Sequence, residues 1–372
     1  MTATRKRVGS RVADAAIVRR RTRRSAALPI LPARPQTQPP ATAWVQLHRT
    51  SHGADYIGIV PGQVLNSPTS TGMVFWSINP YIGCEFGCAY CYARETHRWT
   101  IERASNQRDA PATAREAARL PAAQAFEQRI LVKQDAAAVL ARTIDPTVLG
   151  TTPVVIGTAT DPYQPAERRL GITRKLLEVF LRHEGLRIAI TTKSALVTRD
   201  IDLLVQLARR HRLSINCSLA SMDRELLRRL EPRSPTPQAR LRAVSRLSRA
   251  GIRVDLLAMP ILPGLTDGEE QLRELMTAAR DAGARWVTGG PLRMGPATRH
   301  TLLPWLDRHR PELAARYRQH YDRHRNASAE YRRALQDRIR QIRSEVGFDA
   351  HYTDPWLPIQ GELWDQPAAS SS

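Results

Sequence analysis

Three of the four cysteines in this 372-residue chain lie in one run, Asn79-Pro80-Tyr81-Ile82-Gly83-Cys84-Glu85-Phe86-Gly87-Cys88-Ala89-Tyr90-Cys91-Tyr92. Their spacing is C-x3-C-x2-C, which places three thiolates on one tight loop. Three thiolates can hold a [4Fe–4S] cube by three of its corners, so that the fourth iron is open to a ligand that is not protein. This arrangement suits chemistry at the cluster better than electron transfer or structural support, which normally use a fourth cysteine.

The same cysteines permit a second interpretation, a structural zinc site completed by His97. Zinc sites usually combine two paired ligands, a long gap and two further ligands, and C-x3-C-x2-C does not have that spacing. His97 also falls within the helix that the sequence predicts after the cysteines. The spacing therefore favours an iron–sulfur site, although it does not remove the zinc alternative.

Beyond the cysteines, apolar strands alternate with helical segments as far as residue 296. Strands that are separated by a dozen or more helical residues form parallel βα units. With one strand before the cysteines, about six units predict an α/β fold built as an open (partial) parallel βα barrel. The pattern Thr266-x-x-Glu269 predicts a capping box at the start of the last helix. The predicted strands are Val154–Thr158, Arg187–Thr192, Leu213–Leu219, Arg253–Met259 and Arg285–Thr288, and the predicted helices are Thr173–His183, Asp200–Arg210, Ala239–Ala250 and Gly268–Ala282.

The residues around the cysteines resemble the cluster loop of radical S-adenosylmethionine (SAM) enzymes. In that superfamily the motif is C-x3-C-x-aromatic-C, and Tyr90 has the aromatic position. The resemblance extends from roughly residue 75 to residue 295. Within the superfamily, this region is similar to the branch related to spore photoproduct lyase. The matching segments are Gly157–Pro165, Thr192-Lys193-Ser194, Leu230-Glu231-Pro232 with Ala239-Arg240-Leu241, and Met259–Gly264.

The resemblance implies both the cofactors and the reaction. It implies that Cys84, Cys88 and Cys91 hold a [4Fe–4S] cluster and that SAM binds the open iron through its amino and carboxylate groups. A reduced flavodoxin or ferredoxin would donate an electron, SAM would be cleaved, and a 5′-deoxyadenosyl radical would abstract hydrogen from the substrate. The protein would bind and orient SAM and the substrate, and it would exclude water from the site. Thr158 stands where spore photoproduct lyase has a cysteine hydrogen donor, so the resemblance implies a shared scaffold rather than a shared substrate.

Strand periodicity predicts which side chains face the lumen, because alternate residues of a barrel strand point inward. On Leu213–Leu219 the polar set is Ser214, Asn216 and Ser218, and we expect it to face the lumen where SAM lies. The apolar set includes Cys217, which we expect in the core as a small hydrophobic residue. A role for this thiol as a substrate-facing hydrogen donor or as a cluster ligand is the alternative.

Three further side chains are expected near SAM. Lys193 shares a strand face with Thr191, and its ammonium can meet the SAM carboxylate or form a structural salt bridge. By the resemblance, Thr160 and Asp161 approach the SAM amino group. Asp161 precedes a proline, so it also fits the role of a turn former.

Two other positions carry open alternatives. Tyr90 fits stacking on the adenine of SAM, or ordinary packing of the loop. Glu231 and Arg240 match a Glu-Pro and Ala-Arg-Leu pattern of the relatives, and they fit either a structural ion pair or contact with the substrate. The sequence does not choose between these roles.

The formal net charge of +21 is concentrated at the two ends. Residues 1–36 contain ten Lys and Arg against one acidic residue, and residues 308–343 contain eleven Arg against four acidic residues. We expect a disordered, basic, Pro-rich tail at 1–42, an extension packing on the barrel at 43–74, the radical SAM core at 75–296, and a helical basic extension and tail at 297–372. Leu335, Ile339, Ile342 and Val346 form one apolar stripe, and we expect the arginines of that helix mainly to face solvent.

Few cysteines indicate a reducing compartment, and no apolar run approaches the roughly 20 residues that a membrane span needs. We therefore expect a cytoplasmic protein without a membrane partner. The basic ends permit nucleic acid as a partner, although high Arg and Ala with little Lys also fit a GC-rich genome. A non-catalytic zinc or iron–sulfur module that binds nucleic acid is thus the alternative to a radical SAM enzyme. The sequence does not determine the substrate or the oligomeric state.

Overall fold

The computed structural model describes residues 44–108, 110–321 and 324–348. The expected disordered tail at 1–42 and the end of the C-terminal extension from residue 349 lie outside these ranges. The strands of the described ranges are β1 (Val45–Arg49), β2 (Asp55–Ile59), β3 (Leu65–Asn66), β4 (Trp76–Ile78), β5 (Tyr81–Ile82), β6 (Arg129–Lys133), β7 (Val154–Ile156), β8 (Arg187–Thr192), β9 (Arg212–Ser218), β10 (Arg253–Ile261) and β11 (Trp286–Pro291).

Helices connect most of these strands. A short 3-10 helix, Ala195–Asp200, directly precedes the helix Ile201–Arg210. No described helix has both the length and the apolar character that crossing a bilayer requires. The helices of the described ranges are α1 (Pro68–Thr71), α2 (Arg94–Ser105), α3 (Ala112–Arg119), α4 (Ala122–Gln128), α5 (Ala136–Thr143), α6 (Pro146–Leu149), α7 (Pro165–Leu170), α8 (Ile172–Phe180), α9 (Ile201–Arg210), α10 (Arg224–Leu230), α11 (Pro237–Arg249), α12 (Glu269–Asp281), α13 (Pro296–His309), α14 (Pro311–Tyr321) and α15 (Ala329–Val346).

The larger sheet has seven strands in the order β11-β10-β9-β8-β7-β4-β3. Six of them, from β4 to β11, run parallel and follow each other in chain order, whereas β3 pairs antiparallel at the edge. Helical connections between successive parallel strands produce this order. The fold is therefore α/β with a mostly parallel sheet, as predicted, and it is consistent with a partial barrel.

The apolar face of β9 lies in the main core, as its periodicity predicts. Leu213, Ile215, Cys217 and Leu219 are each at most 6% exposed and pack with the helix-side residues of the neighbouring strands. Burying one aliphatic side chain stabilises a fold by about 1.5–3 kcal/mol, so a one-residue change of register would be costly. The polar residues of β9 consequently point to the other face of the sheet.

A second sheet, with the order β1-β2-β6-β5, was not predicted from the sequence. It joins the N-terminal segment to the cysteine run, because β5 pairs with β6 and ends two residues before Cys84. β2 and β6 pair in parallel along five residues. Strand β5 has only two residues, which is too short for periodicity to reveal.

The end of one predicted strand and the predicted capping box were wrong for local reasons. Strand β7 ends at Ile156 rather than Thr158, because Gly157 has a φ of 93° and leaves the extended conformation. Thr266 does not cap α12. Its hydroxyl accepts from the Leu262 N–H at 2.9 Å, and the residue that precedes the helix is Gly268, whose N–H donates to the Gln271 side chain at 3.3 Å.

The C-terminal helices close over the end of the sheet. The predicted stripe of α15 is buried, with Leu335, Ile339 and Ile342 each 1% exposed and Val346 6% exposed. The Gln336 amide donates to the Gly289 carbonyl of β11 at 2.9 Å, which fixes the helix against the last parallel strand.

Candidate functional site

The three clustered cysteines lie on the loop between β5 and α2, and all three line one cavity of about 400 Å³. Cys84 and Cys88 are buried, and Cys91 is partly exposed. Gly83 starts the loop with a φ of 93°, and a Cβ at this position would lie 2.9 Å from the Phe126 carbonyl oxygen. A glycine is therefore required where the chain turns towards the cavity.

Residues of β2, of the turn before β2 and of α7 hold the cysteine loop in place. The buried Glu85 carboxylate accepts from the Tyr56 hydroxyl at 2.8 Å and from the Ala166 N–H at 3.0 Å. His52, which is half exposed, lies 3.2 Å from the same carboxylate. Because a buried carboxylate needs such partners, β2 and α7 position the residue next to Cys84.

A second set of bonds fixes the loop to the segment after β7. The Thr160 hydroxyl donates to the Gly83 carbonyl at 2.6 Å. The buried Gln164 amide donates to the same carbonyl at 3.2 Å, and its oxygen accepts from the Glu85 N–H at 3.0 Å. Each end of the first cysteine's backbone is thus tied to residues about 80 positions further along the chain.

A buried ion pair supports the other end of the loop. Arg240 pairs with Glu231, and its guanidinium also donates to the Ser218 carbonyl at 2.9 Å. The Tyr90 hydroxyl donates to Glu231 as well. Burial opposes the charge, but Arg240 and Lys193 hold the pKa of Glu231 below its ordinary value. The geometry therefore places Glu231 and Arg240 in an ion pair beneath the cysteine loop.

His97 does not face the cysteines. Its Nε2 lies 2.9 Å from the Arg129 carbonyl oxygen, its ring packs edge-on against Phe126 with centroids 5.7 Å apart, and burial lowers its pKa to about 4. Within the described ranges, no three Cys, His, Asp or Glu side chains are close enough together to hold one metal ion. A zinc site with His97 needs such convergence, since its ligands share a single ion at about 2.0–2.3 Å.

Five of the six predicted SAM contacts share the cavity with the cysteines, namely Tyr90, Thr160, Asp161, Lys193 and Ser218. The Lys193 ammonium lies 5.8 Å from the centre of the Tyr90 ring. Burial disfavours its charge, but Cys88 and Glu231 raise the pKa of Lys193 above its ordinary value. The cavity wall therefore contains a cation close to an aromatic ring.

Asp161 also lines the cavity, but its carboxylate is already satisfied. One oxygen accepts from the Thr192 hydroxyl at 2.7 Å and the Tyr163 N–H at 2.9 Å, and the other accepts from the Lys193 N–H at 2.7 Å. These bonds fix the end of β8, which is a structural role. Contact between Asp161 and SAM remains a prediction.

Asn216 is not among the residues that line the cavity. It lies on the same face of β9 as Ser218 but two residues earlier, where it pairs with Thr191 of β8 and Asp255 of β10. The periodicity identified the correct face but not the depth at which the cavity begins. Its role towards SAM stays a prediction.

Sequence reasoning missed one wall of the cavity. Arg332, Gln336 and Arg340 of α15 line it, together with Arg293 and Asn326. The expectation that the arginines of α15 mainly face solvent is therefore incomplete. The spacing of four residues between Arg332, Gln336 and Arg340 puts them on one side of a helix, and this signal was available in the sequence.

Comparison with known proteins gives matches over most of the chain. The family model described as the radical SAM superfamily matches residues 78–276. The protein Rv2578c of Mycobacterium tuberculosis is 33% identical over 307 residues, which cover 81% of this chain and 85% of that protein. The protein MJ0683 of Methanocaldococcus jannaschii is 26% identical over 203 residues, which cover 55% and 66% of the two chains.

Solved structures of spore photoproduct lyase share the fold. A variant of that enzyme with bound AdoMet and dinucleoside spore photoproduct superposes with a TM-score of 0.53 at 16% identity, covering 77% of this chain and 78% of the lyase. Likeness at this identity concerns the backbone arrangement and not the substrate.

Proposed function

This chain belongs to the radical SAM superfamily and is an enzyme, and we propose that a [4Fe–4S] cluster held by Cys84, Cys88 and Cys91 cleaves SAM to start hydrogen abstraction from a substrate. The observation that carries the proposal is the convergence of these three cysteines on one cavity with Lys193 and Tyr90. When bound, the cluster and SAM supply one-electron chemistry that removes a hydrogen atom.

The donor set fits a cube better than a single ion. A cube binds each of its three thiolates through a different iron, so these thiolates lie farther apart than the ligands of a single ion do. The three cysteines line one cavity, and the described residues contain no three-ligand group compact enough for one ion. This geometry supports the iron–sulfur interpretation over the zinc module.

The side chains around the cysteines would bind and orient SAM. The Lys193 ammonium suits the carboxylate of SAM, and the Tyr90 ring offers an aromatic surface for its adenine. Thr160, Asp161, Ser218 and Asn216 remain the proposed polar contacts. Apolar side chains on the same cavity limit the entry of water, namely Phe86, Phe126, Leu257 and Leu292.

We further propose a reduced flavodoxin or ferredoxin as the electron donor.

The hydrogen donor of spore photoproduct lyase has no equivalent at Thr158, whose hydroxyl accepts from the Asn79 amide at 3.0 Å. A thymine-dimer reaction that uses a cysteine at this position is therefore not part of the proposal.

The test is anaerobic reconstitution with iron and sulfide, followed by measurement of iron content and of 5′-deoxyadenosine formed from SAM with dithionite. We expect about four irons per chain in the wild type. Cys88→Ala should lose 5′-deoxyadenosine formation by at least about 100-fold, because one corner of the cube loses its ligand.

Cys217→Ala is the matched control, because this buried cysteine is not among the cavity-lining residues. It should keep both iron and SAM cleavage. A colourless, zinc-loaded wild-type protein that never cleaves SAM would contradict the proposal and favour the non-catalytic module.

A further inference from the structure

Arg233 covers the backbone of the cysteine loop at Gly87. Its guanidinium donates to the Glu85 carbonyl and lies so close to Gly87 that a Cβ there would overlap its terminal nitrogen, yet its side chain is 34% exposed. The Cys88 Sγ lies 3.9 Å from the hydroxyl oxygen of Ser234, which is partly exposed as well. Little protein therefore separates this side of the loop from solvent.

Two helices meet on the same outer side of the loop. The Ala89 N–H donates to the Leu230 carbonyl at the end of α10 at 2.9 Å, and the Ala89 carbonyl accepts from the Thr301 hydroxyl of α13 at 2.5 Å. The Trp305 indole joins the two helices, because it donates to the Arg229 carbonyl at 3.0 Å. The surface around the outer side of the loop thus belongs to α10 and α13.

This surface is basic. Arg229 and Arg308 are exposed, and neither guanidinium has a hydrogen bond or an ion pair to another described residue. Residues 224–233 contain four arginines against two glutamates, of which Glu231 belongs to the buried ion pair with Arg240. Arg308 follows Trp305 by three residues, so both side chains lie on one side of α13. The α10–α13 face is defined by Arg229, Arg233, Trp305 and Arg308.

The carboxylates near this face are not paired with Arg229 or Arg308. Glu312, which follows Arg308 by four residues, forms no ion pair with it. Three other carboxylates are already in ion pairs, namely Glu225 with Arg228, Asp307 with Arg318, and Glu127 with both Arg94 and Arg233. The face therefore presents positive charge to solvent.

We propose that the α10–α13 face is the docking surface for the electron donor and that this partner is an acidic redox protein. The inference rests on the proposed function, in which the three cysteines hold a [4Fe–4S] cluster. In the transfer step the reduced centre of the partner loses one electron and the cluster gains it. The two centres must come close for this step, and the thin cover at Gly87 and Cys88 permits the approach.

The composition of the face suits a transient acidic partner. Complementary charges steer the encounter and raise the association rate, and tryptophan and arginine are enriched at protein interfaces. Electron-transfer interfaces often bury less than about 1,200 Å² in total, so a small face is sufficient. None of its four defining residues lines the cavity, so a partner docked there does not occupy the proposed SAM site.

Binding to the unreconstituted full-length protein is measured first, because this measurement does not depend on the cluster. A fluorescently labelled flavodoxin of net negative charge is titrated by anisotropy at low salt. Arg229→Glu/Arg308→Glu should bind it at least about tenfold more weakly than wild type, because attraction becomes repulsion at two positions. Added salt should narrow the difference, since ions screen exposed charges beyond about 10 Å at 0.1 M.

Reduction of the cluster is measured second, in the anaerobically reconstituted protein. Photoreduced flavodoxin should reduce the cluster of Arg229→Glu/Arg308→Glu at least about tenfold more slowly than that of wild type, because the encounter is no longer steered. Dithionite is a small molecule that needs no docking surface, so its rate should change by less than about twofold.

The matched control is Arg182→Glu/Arg249→Glu, which reverses the same number of exposed charges. Arg182 follows α8 and Arg249 ends α11, so both precede a parallel strand and lie at the end of the sheet opposite to the cavity. This control should stay within about twofold of wild type in both measurements. Arg229→Gln/Arg308→Gln, which removes charge without reversing it, should show a smaller loss and guards against misfolding.

The inference is overturned if wild type does not bind flavodoxin, or if the face variant and the control variant lose binding equally. It is also overturned if the face variant loses binding of a single-stranded oligonucleotide but not of flavodoxin, which would indicate a nucleic-acid surface. If dithionite supports SAM cleavage in these cases, the proposed function stands while the inference fails. A wild type that binds flavodoxin through this face but never cleaves SAM with either reductant supports the docking surface and contradicts the proposed function.

Discussion

At the residue scale, the cysteine loop is shaped by contacts that its own motif does not contain. Glu85 lies between two of the cysteines, yet its carboxylate is held by Tyr56 and Ala166. Tyr90 has the aromatic position of the motif, yet its hydroxyl donates to Glu231. The motif predicts which residues are needed, while distant partners determine their orientation.

Gly83→Ala should destabilise the protein more than Gly53→Ala. Both glycines have a positive φ, 93° and 87°, so both substitutions carry a similar backbone cost of about 1–2 kcal/mol. Only at Gly83 would the new Cβ meet backbone, at 2.9 Å from the Phe126 oxygen, whereas nothing lies within 4 Å at Gly53.

Urea unfolding and iron content after reconstitution measure this difference. We expect Gly83→Ala to lower both values, because the loop that carries Cys84 must move. Gly53→Ala should lower the free energy of unfolding slightly and leave the iron content unchanged. Equal effects of the two substitutions would show that the contact at Gly83 does not constrain the loop.

At the element scale, two neighbouring faces of α15 have two different roles. The buried stripe of Leu335, Ile339 and Ile342 fixes the helix, and the neighbouring face with Arg332 and Arg340 lines the cavity. The sequence predicted the stripe correctly from its spacing. It did not predict the lining role, because helical periodicity says which residues share a face but not what that face meets.

Ile339→Ala should lower the free energy of unfolding by about 2–5 kcal/mol, since it opens a cavity in the core between α15 and β11. Ile339 is 1% exposed, and its Cδ1 lies 2.7 Å from where a Cβ on Gly289 would be. Hydrogen exchange along α15 should quicken. Arg333→Ala, on the exposed side of the same helix, should change neither measurement appreciably.

At the scale of the whole molecule, two sheets meet at the cysteine loop. The parallel sheet supplies the cavity through the ends of β8 and β9, and the smaller sheet holds the loop through β5. Burial at this junction changes the pKa of titratable side chains in addition to packing apolar ones. His97, in α2, is buried there beside Phe126 and Arg129.

Stability should fall as the pH falls from about 6.5 to about 4, in part through His97. Burial lowers its pKa from 6.5 to about 4, so the unfolded chain binds a proton in this window that the folded chain does not. The contribution of His97 to the free energy of unfolding is fully present above the unfolded pKa and is lost as the pH falls to about 4. Its size is of the order of 3 kcal/mol.

Urea unfolding of the unreconstituted protein at pH 7.0 and pH 4.5, two values chosen to span this window, measures the effect. His97→Gln should show a smaller difference between the two pH values than wild type does. His300→Gln, at an exposed position, should match wild type. An unchanged pH difference in His97→Gln would mean that His97 titrates normally in the folded protein.

The sequence by itself determined the clustering of three cysteines in one run, the α/β alternation and the apolar faces of β9 and α15, because each is a local pattern of spacing or periodicity. Only the tertiary structure decided that Ser218 lines the cavity and Asn216 does not, that His97 contacts Arg129 instead of lining the cavity, and that Arg332 and Arg340 line the same cavity as the cysteines. These relations join segments that are often more than 100 residues apart. Their distances are set by how sheets and helices pack, and a linear pattern does not contain that information.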